Sequence, residues 1–174
     1  LYAQDYRSFE RAFSLFTQVV GRSGRAEKAG RAYIQTFTPE NPVIALAAAQ
    51  DYDTFYETEI ESRRIHLYPP YCDMIGVGFS GLANLQVRDA ARRFLSKLAE
   101  VAKNEYPDLP LRVLGPCESQ ILKIAGKFRW RMAIKCSCNA RTREFLWKVV
   151  EWYYSQNENR QVSLSIDPRY ENSI

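Results

Sequence analysis

Two adjacent prolines, Pro69 and Pro70, fix the main division in this sequence. Neither ring nitrogen carries a hydrogen, and each ring biases the preceding residue away from helical backbone, so a helix arriving at Tyr68 must stop there. Before the prolines, apolar residues recur at helical spacing. After them, alternation takes over, first with Ile75, Val77 and Phe79 on one side of a strand and Gly76 and Gly78 on the other. We therefore place a domain boundary at the prolines, with residues 43–70 connecting a first segment, 1–42, to a second domain, 71–174.

In the first part, Phe9, Ala12, Phe13, Leu15, Phe16, Val19 and Val20 are spaced as one face of a helix that runs into a glycine-rich turn, Gly21-Arg22-Ser23-Gly24-Arg25. Arg31-Ala32-Tyr33-Ile34-Gln35-Thr36-Phe37 is short and β-prone, closed by Pro39, Asn41 and Pro42, and predicts a strand. A second helical pattern starts at Val43 and carries a stripe of Tyr52, Phe55, Tyr56 and Ile60.

Beyond the prolines, the Ile75–Phe79 strand is followed by Val87, Ala90, Ala91, Phe94, Leu95, Leu98, Val101 and Ala102, a long amphipathic helix with Asn84 as its expected cap. Two strands follow, one within residues 111–124 and one from Phe128 to Cys136, joined through Ala125-Gly126-Lys127 as a hairpin. A last helix carries Phe145, Leu146, Val149, Val150 and Tyr153, and a last strand alternates Val162, Leu164 and Ile166. The order βαββαβ predicts a ferredoxin-like domain, with two helices on one face of an antiparallel sheet and the other face open.

Composition bounds the chemistry. The 174 residues are 46% apolar and carry a net charge of +4, so any strongly basic surface must be local. The four cysteines, Cys72, Cys117, Cys136 and Cys138, lack C-x-x-C spacing, and the single histidine, His66, has no cysteine at a ligand-like interval, which argues against a zinc site in this chain. No run approaches the roughly 18 consecutive apolar residues of a membrane span, and a reduced, cytoplasmic setting is expected.

The string Gln18-Val19-Val20-Gly21-Arg22-Ser23-Gly24-Arg25 carries the clearest chemistry. Its two arginines stand three apart across glycines, so both guanidiniums reach one anionic object while the glycines allow close backbone approach. A guanidinium stays charged, binds phosphate in bidentate fashion and stabilises charge on a transferring phosphoryl group. A bare G-R-x-G-R also occurs in soluble turns. The preceding glutamine and the helix that delivers the string favour a folded turn facing phosphate.

This string resembles motif VI, Q-x-x-G-R-x-G-R, of superfamily-2 helicases. The resemblance implies that Gln18, Gly21, Arg22 and Arg25 face the ATP γ-phosphate from the second RecA-like motor lobe. It casts Arg25 as the arginine finger and Arg22 as a ground-state phosphate contact, two roles that motif position alone does not separate. The flanking strings Gly30 to Phe37, Asp51-Tyr52, Phe55-Tyr56, Glu61-Ser62-Arg63-Arg64 and Tyr68-Pro69-Pro70-Tyr71 resemble the PriA family of primosomal replication-restart helicases. So do Gly115-Pro116, Lys127 to Arg131, Lys135 and Ser165-Ile166-Asp167-Pro168. The departures are Cys117-Glu118-Ser119, where the family is richer in proline and alanine, and Tyr71, where phenylalanine is common.

The family resemblance implies the C-terminal part of a 3′-to-5′ DNA helicase that recognises branched, abandoned replication forks and reloads the replication machinery. The full enzyme would use ATP, magnesium and zinc. This sequence contains neither a Walker A string nor D-E-x-H, so the chain alone is expected to bind none of these and to hydrolyse no ATP. The implied partners are branched DNA, the acidic tail of single-stranded DNA-binding protein and other primosome proteins. Phe13 and Phe16 would normally pack on motor strands missing here, so exposed apolar surface is expected around them.

In Lys127 to Cys136 the even positions Phe128, Trp130, Met132, Ile134 and Cys136 make a core face, while Lys127, Arg129, Arg131 and Lys135 share the odd face. That cationic face suits a phosphate backbone, against the plainer alternative of a solvated sheet face. Trp130 belongs by its parity to the core and is not counted as a base-stacking residue. Arg141, near the start of the last helix, is a candidate for an acidic peptide tail, with simple solvation as its alternative. The rival reading of the whole chain is a stand-alone nucleic-acid-binding module with no catalysis.

Overall fold

The ends of the helices in the first part follow from their capping residues. Helix α1 spans Ser8–Arg22, α2 spans Pro42–Ala49 and α3 spans Tyr52–His66. The Asn41 side chain accepts from the Val43 backbone N–H at 3.0 Å, and Pro42 sits in the first turn, where a missing N–H costs nothing. Gln50 then takes a left-handed φ of 56°, and Asp51 opens α3 by accepting from the Thr54 N–H at 3.1 Å. One helix was expected from Val43. The stop at Gln50 and the new cap at Asp51 divide it in two. Leu67, left-handed at φ 52°, ends α3 just before the prolines.

The computed structural model describes residues 5–22 and 32–171, and these fall into two compact units, Leu1–Leu67 and Tyr68–Ile174. In the first unit Ala12, Phe13, Val43, Ala47 and Phe55 form a small core, with Phe16 and Leu46 packed against it. Phe13 is only 5% exposed and stacks on Phe55 with ring centroids 4.2 Å apart. Phe13 itself is therefore covered, because α2 and α3 pack on that side of α1, while the exposed apolar surface expected around it is found at Phe9, Leu15 and Val19 of the same helix. The strand expected at residues 31–37 is not seen over 32–37, which stay outside any sheet, with Tyr33 and Phe37 exposed. A RecA-like lobe is likewise not seen among the described residues of 1–42, since an extended run becomes a strand only beside a neighbour that takes its backbone hydrogen bonds.

The second unit contains β1 (Asp73–Gly81), α4 (Asn84–Glu105), β2 (Arg112–Ile124), β3 (Lys127–Cys136), α5 (Ala140–Ser155) and β4 (Val162–Asp167). The sheet order is β2-β3-β1-β4 and every neighbouring pair is antiparallel. This βαββαβ order and strand arrangement is ferredoxin-like, as the sequence pattern predicts. The hairpin between β2 and β3 turns at Ala125 and Gly126, with φ of 48° and 79°, the double positive φ of a type I′ turn, which Gly126 adopts without strain.

Parity then builds the core. Ile75 faces Ile134, Val77 faces Met132 and Phe79 faces Trp130 across β1 and β3, while Leu164 and Ile166 extend these rows onto β4. Helices α4 and α5 cover that face with Val87, Ala90, Ala91, Phe94 and Leu98 from one and Phe145, Val149 and Tyr153 from the other. The rings of Phe79, Phe94 and Tyr153 lie within 6.0 Å of one another, and the Tyr153 hydroxyl donates to the Val162 carbonyl at 3.0 Å. Asn84 is not the cap of α4. Ala83 occupies that position without a side-chain bond, and Asn84 is the first helical residue, its side chain engaged by Trp130.

Candidate nucleic-acid interface

The face of the sheet away from the helices is set by the same parity. Read from β3 through β1 to β4, one row is Arg129, Ser80, Ser163, the next Arg131, Gly78, Ser165, and the third Ala133, Gly76, Asp167. Two arginines on β3 thus border a lane of glycine and serine. The lane is a groove of about 570 Å³, closed on the far side by Ser119, Gln120 and Ile121 of β2 and on the near side by Asp167 and Tyr170.

Tyr170 lies just after β4, and its backbone N–H donates to the Met74 carbonyl at 3.1 Å. Its ring rests on Gly76 so closely that a Cβ there would fall 2.2 Å from a ring carbon. Gly76 is therefore required by close approach. The Tyr170 hydroxyl receives Arg131 Nη1 at 3.3 Å, while the buried Arg131 Nε has no hydrogen-bond partner. Neither Arg129 nor Arg131 forms an ion pair among the described residues, so both charges remain available to an anion.

The four cations expected to share this face differ in their surroundings. Lys127 and Arg129 are exposed and Arg131 is half-buried. Lys135 is buried, 6% exposed, with its ammonium 3.6 Å from the centroid of the Tyr68 ring. Burial pushes its pKa down, the nearby Cys72 thiol opposes that and Arg112 adds to it. Lys135 thus departs from the open cationic strip that alternation predicts, because Tyr68 folds over that end of β3. Lys123 pairs across the hairpin with Phe128, its ammonium 4.8 Å from that ring's centroid, and so belongs to the helix-covered side of the sheet and not to this face. Trp130 packs against the helix-covered core, as its parity predicts.

Arg141 lies in the first turn of α5, which Asn139 caps by accepting from the Thr142 N–H at 3.0 Å. Its guanidinium donates to Asp108 at 2.6 Å and stands 5.7 Å from the Tyr106 ring centroid. It is half-exposed and already paired. Of the residues in the arginine-rich string, Gln18 and Gly21 are exposed on the last turns of α1 and Arg22 closes that helix, so the helix runs further than the predicted turn allows. Arg25 lies outside the described residues. Among the described residues, no cluster of three or more His, Cys, Asp or Glu is placed to hold a metal ion, and no helix is long and apolar enough to cross a membrane.

A family model described as the primosomal protein N C-terminal domain matches residues 64–169. The chain belongs to this PriA C-terminal domain family. It is 35% identical over 169 residues to the replication restart protein PriA of Bacillus subtilis, covering 96% of this chain and 20% of that protein. The PriA of Chlamydia pneumoniae is 38% identical over 135 residues, 78% of this chain and 17% of that protein. That of Synechocystis is 36% identical over 131 residues, 75% of this chain and 15% of that protein. The chain thus spans a fifth or less of the length of these PriA relatives. A de novo designed protein with a ferredoxin fold aligns over 57% of this chain and 86% of its own, with a TM-score of 0.42 at 11% identity.

The segment matched by the family model, residues 64–169, includes the groove apart from Tyr170. Sequence reasoning identified Arg129 and Arg131 and placed Gly76 and Gly78 on the face opposite the core, but it missed Tyr170, Asp167 and Tyr68. Gly76-x-Gly78 was the available signal, since glycines at alternate strand positions mark a close approach by something else.

Proposed function

We propose that this chain is the C-terminal part of an ATP-dependent 3′-to-5′ DNA helicase of replication restart, and that its ferredoxin-like unit holds the DNA of branched forks on the open face of its sheet. The observation that carries this reading is the pair Arg129 and Arg131 on that face, without carboxylate partners, beside a groove of small residues. Lys127 continues the positive potential to the hairpin, while Lys135 supports the β3 end from beneath Tyr68. The names of the relatives favour a replication-restart motor over a stand-alone binding module.

ATP hydrolysis belongs to the whole protein. Gln18, Gly21, Arg22 and Arg25 contribute the γ-phosphate side of its nucleotide site, with Arg25 the candidate finger. The other ATP, magnesium and zinc groups come from residues that this sequence does not contain. Arg141 takes the acidic tail of single-stranded DNA-binding protein by exchanging Asp108 for a peptide carboxylate, and further primosome proteins assemble on the complex.

The test is fork binding by the 174-residue chain with Arg129→Glu and Arg131→Glu together, across a salt series. Binding should weaken and the slope of log K against log salt should flatten by about two, one for each phosphate contact removed. An unchanged slope would remove both arginines from the DNA interface.

A further inference from the structure

Resting on the DNA-binding reading above, we propose that the groove over Gly78, beside the Tyr170 ring that covers Gly76, takes one unpaired nucleotide of a DNA strand, its phosphate on Arg131 and Arg129 and its base against Tyr170. The site has the parts such a ligand needs. The Tyr170 ring already covers Gly76, and beside it the floor projects no side chain at Gly78 and short ones at Ser80 and Ser165, so a planar group can settle against the ring above these small residues. At about 570 Å³ its volume lies in the range of small-ligand sites and suits a base with its sugar and phosphate rather than a duplex.

Polarity within the groove is divided. Arg129 and Arg131 stand on the β3 side, and the buried Arg131 Nε lacks an acceptor that a phosphate oxygen would provide. Asp167 stands on the opposite side, where a second phosphate would be repelled but the amino or imino N–H of a base finds an acceptor. A ligand with an anionic end and a hydrogen-bond-donating end matches this division, and a nucleotide has both. An acidic peptide would place carboxylates against Asp167.

Tyr170 supplies the aromatic surface. Its backbone is anchored to Met74 and its hydroxyl to Arg131, so the ring is held at the groove edge before any ligand arrives. Stacking on such a fixed ring is tolerant of base identity, which suits a protein that meets arbitrary fork sequences.

The experiment compares the 174-residue chain with Tyr170→Ala and Tyr170→Trp, using fluorescein-labelled single-stranded dT15, a blunt duplex of equal length and an acidic decapeptide. Each variant is first checked for an unchanged thermal melt, and Ser165→Val, which fills the floor without touching the ring anchor, serves as a second probe. Tyr170→Ala and Ser165→Val should each weaken dT15 binding by about tenfold while leaving duplex binding and the salt slope unchanged, and Tyr170→Trp should retain it. Photocrosslinking of 5-iodouracil DNA should map to Tyr170. Equal losses for single strand and duplex, or crosslinks elsewhere with DNA binding intact, overturn the groove assignment alone. Failure of the wild-type chain to bind either DNA at low salt overturns the DNA-binding reading itself. Tighter binding of the acidic peptide than of dT15 reassigns the groove to a protein tail and overturns the nucleotide.

Discussion

The indole Nε1 of Trp130 donates to the side-chain oxygen of Asn84 at 2.8 Å, joining the middle of β3 to the first residue of α4. This bond explains why a tryptophan on the core face remains only half-buried: its polar edge reaches the helix start, while the ring packs on the core. Asn84→Ala removes the acceptor and should cost about 1 kcal/mol of stability in a urea titration. Asn84→Asp, which keeps an acceptor oxygen near a helix N-terminus, should lose much less.

The first unit carries a pH-sensitive clamp. Glu10 of α1 accepts from Arg7, just before that helix, and, at 2.8 Å, from Arg63 of α3. The Arg7 hydrogen bond, then Arg63, hold the Glu10 carboxyl at about 2 against an ordinary 4.5, with desolvation opposing. Because the folded value is depressed, the stabilisation is fully present above the unfolded value and is lost as pH falls from about 4.5 towards 2. The pair is partly exposed, so its worth is about 1 kcal/mol after screening. Wild type should exceed Glu10→Gln in stability by that amount at pH 6, and the gap should close by pH 2 to 3.

Cys136 is buried at the end of β3, and burial first, then the neighbouring Cys138, Asp73 and Cys72, push its thiol up to about 12. The thiolate is the reactive form, so Cys136 should resist iodoacetamide at pH 8 in the folded chain. Half-buried Cys117 should be modified well before it. Peptide mapping by mass spectrometry after a timed exposure reads the order, and equal rates at both cysteines would contradict the packing around Cys136.

Much of the second unit was legible because two periods suffice to write it. Alternation through Ile75, Val77 and Phe79, and again from Phe128 to Cys136, assigns each residue to a sheet face before any partner strand is known. What alternation cannot report is what lies on that face from elsewhere in the chain. Lys135 and Arg131 have the same parity, yet Tyr68 buries one and Tyr170 borders the other. Both tyrosines stand outside the strands, where neither period applies.

The first unit was less legible for a different reason. A continuous apolar pattern from Val43 hid the stop at Gln50, a residue with no special liking for left-handed backbone. Phe13 was assigned to a missing sheet, although Phe55, one turn into α3, provides its stacking partner. Local pattern established that these positions are apolar, while the choice of partner was a tertiary matter.

Strand β2 ends the sheet on one side, and its pairing with β3 shifts register between Leu114 and Cys117 and again between Glu118 and Lys123. A long regular edge would present a continuous row of free amides and carbonyls to any other molecule of the same kind, with Ile121 and Ile124 exposed to promote the encounter. The two irregularities break that row into short pieces, and Lys123 sets a charge between the isoleucines. At high protein concentration these breaks and this charge should oppose sheet-to-sheet growth along the outer strand.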